Sequence, residues 1–393
     1  MTKVKVSWKK RVFSWGLALA ALTFVVWSVP IRDRCEDPTA RSGSTRVIVS
    51  RASGGDCLLH IKSGDVRISA AECASLKCEP GLASTISHAR LDILAVLCAI
   101  YFTGTVAWSV RWRMLLSLAG VRLSLFEVWR ITMRAQAGGI LLPGGIGGDA
   151  LRVASIVGKG AKASIVIGSV LLDRFLGLVT IASIAAGLGL GLGGAQVGIA
   201  AYILAALPFG FVFGILLLRS RWVAGIRSRL DEAAPGLRGR AARALKPILA
   251  YVADPKAPRA ILLGFLVSLF VSTVQFMVIR GLVSALGATP SQEKWVYVGS
   301  AMAMIVAAVP ALPGGWGTAD AAYVFFLGLA GLTPGVALAV CLLFRLFWYL
   351  SGVLGAILHL TSPASASAAP LESLPVEQRS PDTVPSKIRS ETK

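Results

Sequence analysis

Six long runs of mostly apolar residues punctuate this chain: 12–31, 91–110, 164–190, 197–218, 261–286 and 335–360. Each is long enough to cross about 30 Å of hydrocarbon as a helix, which takes about 20 residues at a rise of about 1.5 Å each. A backbone in hydrocarbon must satisfy its own hydrogen bonds, so only helices or closed barrels span it, and runs this long select helices. Only 15% of the residues are charged, where a soluble domain carries about 25%. With a mean hydropathy of +0.70, the chain reads as a multi-pass membrane protein.

The formal net charge is +20. On a soluble chain that excess points to nucleic acid. Here the basic residues gather between apolar runs, where they orient the protein and attract anionic headgroups, and no nucleic-acid-binding module accompanies them. Nucleic acid is therefore excluded as a partner. Segment 219–259 has ten Lys/Arg against three Asp/Glu and is expected in the cytoplasm. Lys3, Lys5, Lys9, Lys10 and Arg11 precede the first run, and Arg32, Asp33 and Arg34 follow it without a small-residue cleavage site. This pattern predicts an uncleaved first span (residues 1–31) with its N-terminus in the cytoplasm. The second span ends on Arg111 and Arg113, which marks that end as cytoplasmic. The location expected is the inner (cytoplasmic) membrane, with both termini in the cytoplasm. The tail 361–393, rich in Ser, Ala and Pro, is expected to be disordered.

Between the first two spans lies a polar segment, 32–90, which the topology puts outside. Its short β-rich runs are separated by Ser-Gly-Gly-Asp and Ser-Gly-Asp turn signals, which predict a meander of about three strands. Cys35, Cys57, Cys73 and Cys78 form an even set in an exported segment and are disulfide candidates with three pairings open. Their spacing does not form a paired CxxC framework, so no metal is expected. Cys98 and Cys341 fall inside apolar runs and read as packing residues.

One glycine-rich stretch is written twice in the chain. LLPGGIGGDALR occupies 141–152, and ALPGGWGTADA occupies 311–321. The offset from Pro143 to Pro313 and from Asp149 to Asp320 is 170–171 residues. The same offset relates the start of the second span to that of the fifth, and Arg174 to Arg345. Arg174 follows Asp149 by 25 residues, as Arg345 follows Asp320. Segment 91–192 and segment 261–360 are thus two halves of a repeat, the membrane core being 91–360. An odd number of crossings separates them, so they run in opposite directions, as in the inverted repeats of secondary transporters. Basic flanks on both sides of the first motif predict a re-entrant hairpin that enters and leaves on one face. A surface-lying helix carrying Glu127, Arg130 and Arg134 is the alternative. The fold class expected is all-α and polytopic, with an inverted-topology repeat, two re-entrant glycine-rich hairpins and a small extracytoplasmic β-rich insertion.

Proline ends a helix, and glycines allow positive φ and close backbone approach. A half-helix starting after such a break presents free N–H groups and a positive dipole end, which is an anion site. The candidate substrate-binding residues are therefore Pro143, Gly144, Gly145, Gly147, Gly148, Asp149, Arg152, Asp173 and Arg174 in the first half. Pro313, Gly314, Gly315, Gly317, Asp320 and Arg345 are those in the second. Intramembrane arginines face a cavity or the protein interior and suit bidentate phosphate recognition. Asp149 and Arg152 share a helix face, whereas adjacent Asp173 and Arg174 need separate partners. A purely structural reading stands beside this one: aspartates as helix caps, glycines as packing contacts, arginines paired with buried acids.

The runs LPGGIGGDALR, SVLLDR at 169–174, LPGGWGTAD and LLFR at 342–345 resemble the lysylphosphatidylglycerol synthase transmembrane family over about residues 88–360. That family includes the flippase portion of bacterial multiple peptide resistance factors, and archaeal relatives are linked to lipid-carried sugars. The resemblance implies movement of a lipid or lipid-linked group between leaflets. The family's synthases add a soluble aminoacyl-transferase domain after the membrane part, and the sequence here continues instead into the 361–393 tail. The expectation is a non-enzymatic lipid flippase without cofactor, whose partners are membrane lipids, either anionic phospholipid or a lipid-linked group. Residues 32–90 are a candidate surface for an extracytoplasmic partner, and self-association is a further expectation. The competing readings are a membrane transferase acting on lipid phosphates, with Asp149 and Asp320 holding Mg²⁺ or acting as base, and a non-catalytic scaffold. No GxxxxGK[ST] loop is present to supply nucleotide drive.

Overall fold

The computed structural model describes residues 23–36, 46–51, 57–61, 64–69, 71, 78–118, 120–141, 146–191, 195–219, 257–308 and 316–361. Most of the basic 219–259 segment, the tail after 361 and the start of the first apolar run lie outside them. So do Pro143, Gly144, Gly145, Pro313, Gly314, Gly315 and Cys73.

Five short strands come first: β1 (Arg34–Glu36), β2 (Arg46–Arg51), β3 (Cys57–Ile61), β4 (Gly64–Ile68) and β5 (Cys78–Glu79). They form one antiparallel sheet in the order β4-β3-β2-β1-β5. The three strands that alternation predicts are β2, β3 and β4. The two extra ones, of three and two residues, are too short to carry a period. Covalent chemistry helps hold them: Cys35 stands opposite Cys78 in register, and the two are disulfide-bonded. Cys57 is also disulfide-bonded. The short helix α1 (Leu82–Ser87) then ties the sheet to the membrane part. Asp33 Oδ1 accepts from Gly81 N at 2.8 Å and from the Ser84 hydroxyl, while Leu82 N donates to Pro30 O at 2.9 Å.

Nine helices follow among the described residues: α2 (Leu91–Leu118), α3 (Leu125–Leu141), α4 (Ile146–Val157), α5 (Ala163–Gly191), α6 (Ala195–Arg219), α7 (Ala257–Ala285), α8 (Glu293–Ala307), α9 (Thr318–Gly328) and α10 (Pro334–Leu360). Their lengths run 28, 17, 12 and 29 residues, then 25 for α6, then 29, 15, 11 and 27. Long, short, short, long is thus written twice around α6. The protein is mostly helical, and the long helices α2, α5, α7 and α10, with 199–216 of α6, are long and apolar enough to cross a membrane.

The halves interlock. Long α2 packs on long α7, short α3 packs on α10, and short α8 packs on α5. Within each half the short helices pack on each other. Lipid is as apolar as leucine, so close packing and interhelical hydrogen bonds hold such a bundle together. Thr180 Oγ1 and Ser272 Oγ meet at 2.9 Å between α5 and α7. Trp112 Nε1 donates to Ser169 Oγ at 3.3 Å between α2 and α5. Gly148 lets α4 cross α3: a Cβ there would lie 2.6 Å from the Ala135 carbonyl oxygen. Helices α5 and α10 are the most enclosed of the spans, whereas α6 turns most of its surface outward, including Ile199, Phe209 and Phe213.

One sequence boundary is corrected. Arg111 was expected to end the second span, but α2 continues to Leu118 and Arg111 is 4% exposed inside it. A guanidinium that meets a buried carboxylate has no need of the membrane surface, so it does not end a helix.

Candidate functional site

Each glycine motif runs into a short helix whose first turn carries an aspartate: Asp149 on α4 and Asp320 on α9. A first-turn carboxylate suits the positive end of the helix dipole. Asp320 goes further, its Oδ2 accepting from Gly317 N at 2.8 Å. Gly317 has φ of 77°, a conformation that a side chain resists. The positive helix end that the sequence marked as an anion site thus receives the chain's own carboxylate.

The long helix after each motif brings an arginine to that aspartate. Arg174 is the twelfth residue of α5 and Arg345 the twelfth of α10. At a rise of about 1.5 Å per residue, both lie ~16 Å along helices that are long and apolar enough to cross a membrane. Arg174 Nε pairs with Asp149 Oδ2. Arg345 Nη2 pairs with Asp320 Oδ1 at 2.8 Å. The matched spacing of 25 residues therefore marks two matched ion pairs. Their settings differ. The Arg174 side chain is 44% exposed, whereas that of Arg345 is 6% exposed and its guanidinium lies 4.2 Å over the Trp316 ring. The Cys341 thiol also donates to Asp320 Oδ1 at 3.3 Å.

Behind the first pair lies a second, fully enclosed one. Asp173 is 0% exposed and accepts three hydrogen bonds: from Arg111 Nε at 2.6 Å, Trp108 Nε1 at 2.7 Å and Arg152 Nη1 at 3.2 Å. Arg111 Nη1 in turn donates to Ser268 Oγ on α7 at 2.8 Å. The Arg152 guanidinium lies over the rings of Trp108 and Trp112, at 4.3 and 4.6 Å from their centroids. One carboxylate thus joins α2, α4 and α5, and Arg111 extends the network to α7. A buried charge persists only when paired and hydrogen-bonded, and this one is both. Asp173 and Arg174, adjacent in sequence, have separate partners as their neighbouring positions require.

Between the halves opens a cavity of about 350 Å³, within the range of about 300–1,000 Å³ of small-molecule sites. Both Arg174 and Arg345 line it, with Tyr101, Trp108, Gln136, Gln275, Tyr323 and Trp348 among the other walls. The aromatic rings supply apolar faces. The Trp108 N–H is taken by Asp173 and the Trp348 N–H by Gln136. Each arginine brings its own counter-charge, so the cavity presents guanidinium donors without a large uncompensated field.

Of the sequence candidates, Asp149, Arg174, Asp320 and Arg345 meet as two pairs, and both arginines reach the one cavity. Arg152 and Asp173 meet each other inside the protein, behind it. Gly147 and Gly148 lie in the first turn of α4, buried. Glu127, Arg130 and Arg134 sit on α3. Glu127 pairs with Lys159 just beyond α4, and Arg134 Nη2 donates to Leu358 O at 3.2 Å. Among the residues missed by sequence reasoning are Trp108, Arg111, Gln136, Gln275 and Tyr323. For Tyr323 a signal existed: it follows Asp320 by three residues, as Arg152 follows Asp149.

The family model described as the lysylphosphatidylglycerol synthase TM region matches residues 81–355. The match spans both motifs, both arginines and the whole cavity lining. Comparison with curated proteins and with solved structures returns no match.

Proposed function

The chain belongs to the lysylphosphatidylglycerol synthase transmembrane family, which makes it a membrane protein related to lipid metabolism or transport, and from that premise we propose that it moves a phospholipid or lipid-linked headgroup between leaflets. The observation that carries the reading is the pair of arginines, placed alike in the two halves and meeting at one cavity. A headgroup crossing a bilayer needs polar partners at mid-depth while its acyl chains stay in lipid. Guanidiniums held ready on paired aspartates offer such partners, and rings and amides complete the lining.

The repeat is read as inverted, with α3–α4 and α8–α9 as re-entrant hairpins opening to opposite faces. Matched helix lengths and the crosswise packing of α3 on α10 and α8 on α5 support this. Each hairpin then shields the cavity from one side, and small movements of α4 or α9 expose an arginine to one leaflet or the other. Arg174–Asp149, the more exposed pair, separates more easily than Arg345–Asp320. The membrane proposed is the cytoplasmic one, with both termini inside. No covalent step is assigned.

Purified protein in vesicles carrying fluorescent phosphatidylglycerol tests this, with a membrane-impermeant reductant added outside. Transport predicts bleaching that proceeds beyond the outer-leaflet label. Bleaching that stops at the outer leaflet, as in protein-free vesicles, with phosphatidylglycerol and with lipid-linked sugar phosphate alike, contradicts the reading.

A further inference from the structure

The two halves are matched in their ion pairs and mismatched directly behind them. Arg152 follows Asp149 by three residues and finds Asp173. Tyr323 follows Asp320 by three residues, but Phe344 precedes Arg345 where Asp173 precedes Arg174. The second half therefore lacks, at these positions, the carboxylate that absorbs the polar group in the first. Arg152 Nη2 in the first half is also buried without a partner among the described residues, but Arg152 does not line the cavity, whereas the second half leaves two such atoms on side chains that do. The Tyr323 hydroxyl and Arg345 Nη1 are buried with no hydrogen-bond partner among the described residues. Tyr323 is 3% exposed and Arg345 6%. Both side chains line the cavity.

Buried donors without acceptors are rare, because each has given up water for nothing. Here two donors belong to side chains that line one cavity, one of them charged, and both atoms are covered in this state. Asp320 occupies Nη2 of the same guanidinium at 2.8 Å and leaves the Nη1 edge facing no protein acceptor among the described residues. Two donors on side chains that line one cavity, one of them cationic, call for an acceptor with two oxygens and negative charge.

We propose that Arg345 Nη1 and the Tyr323 hydroxyl together form the seat for a phosphate oxyanion, so that the headgroup is held in the second half of the cavity. This deepens the lipid-path reading and rests on it for the identity of the occupant. The same chemistry is offered by a lipid phosphodiester and by free phosphate. The seat also gives the mismatch a role. The first half uses its equivalent positions to lock α2, α4, α5 and α7 together, while the second leaves them to the ligand.

The test is calorimetric titration of the purified full chain in detergent with two probes separately: dihexanoyl phosphatidylglycerol and inorganic phosphate. Tyr323→Phe removes one oxygen and no intramolecular hydrogen bond among the described residues, so its melting temperature in the absence of ligand is expected to equal or exceed that of the wild type. Its affinity for the bound probe is expected to fall about tenfold, the loss of one hydrogen bond to a charged acceptor. Arg345→Lys keeps a cation beside Asp320, gives up the second guanidinium edge, and is expected to weaken binding as well. Lipid binding far tighter than that of phosphate identifies a headgroup. Equal Tyr323-dependent binding of both identifies a free oxyanion site.

Tyr323→Phe binding the probes as tightly as the wild type overturns the seat, as does a wild type that binds neither. If lipid still crosses vesicles while Tyr323→Phe binds normally, the seat fails and the lipid path stands. Tyr323-dependent binding by a protein that moves no lipid has the opposite meaning.

Discussion

Asp173→Asn is the substitution whose effect the structure fixes most tightly. It keeps the size of the side chain and removes one charge. What remains is Arg111 at 4% and Arg152 at 1% exposure, two buried guanidiniums with no carboxylate between them. Removing one partner of a buried ion pair costs about 3–5 kcal/mol, because the stranded charge retains its desolvation penalty. At about 1.4 kcal/mol per decade, a 4 kcal/mol loss lowers the folding constant roughly a thousandfold. Asp149→Asn makes the same chemical change at a pair whose arginine is 44% exposed and lines the cavity. Water admitted to the cavity would screen that pair as it does a surface pair, and the expected cost is no more than about 1 kcal/mol. Reversible unfolding in mixed micelles, followed by tryptophan fluorescence, compares the two. A loss below about 1 kcal/mol for Asp173→Asn, or equal losses at the two sites, refutes the argument that burial decides their worth.

Other substitutions probe the backbone and the sheet. Gly148→Val places a methyl-bearing carbon where 2.6 Å separates it from a main-chain oxygen, and is expected to destabilise the same unfolding curve by about 1–3 kcal/mol. Gly317→Ala strains a residue at φ 77° and is expected to cost about 1–2 kcal/mol, with a matching cost from Gly317→Ser and none from the D-alanine variant made by semisynthesis. Cys35→Ser with Cys78→Ser opens a link between residues 43 apart, worth about 4 kcal/mol in chain entropy. Limited proteolysis is expected to cut within 34–79 first in that variant while the 91–360 core stays intact.

How far the molecule was legible varies with the physics of each part. The long spans announce themselves because hydrocarbon demands about 20 apolar residues in a row. The doubled motif showed that Arg174 and Arg345 stand alike relative to Asp149 and Asp320, but on sequence Asp149 shared a helix face with Arg152, and the structure instead pairs Asp149 with Arg174 and Arg152 with Asp173. What sequence did not show was which arginines pair internally. Arg111 read as a boundary marker because a charge near the end of an apolar run normally means headgroups, and its partner Asp173 lies 62 residues away. Gln136 and Gln275 come from different halves, and nothing local brings them to one cavity. Strands β1 and β5 were too brief to show alternation, and register with a disulfide, rather than hydrophobic pattern, marks their place. Tyr323 was legible in principle, since aligning the two halves residue by residue sets it against Arg152.

The central claim is that one cavity, shared by the two arginines, is the route of a lipid headgroup. The most direct measurement is bleaching of fluorescent phosphatidylglycerol in vesicles by external reductant, for wild type, Arg174→Ala, Arg345→Ala and the double variant, each checked for monodispersity and melting temperature beforehand. The account predicts bleaching past the outer leaflet in wild type, a slowed approach in each single variant and outer-leaflet bleaching alone in the folded double variant. Full bleaching by the folded double variant, at the rate of wild type, contradicts it.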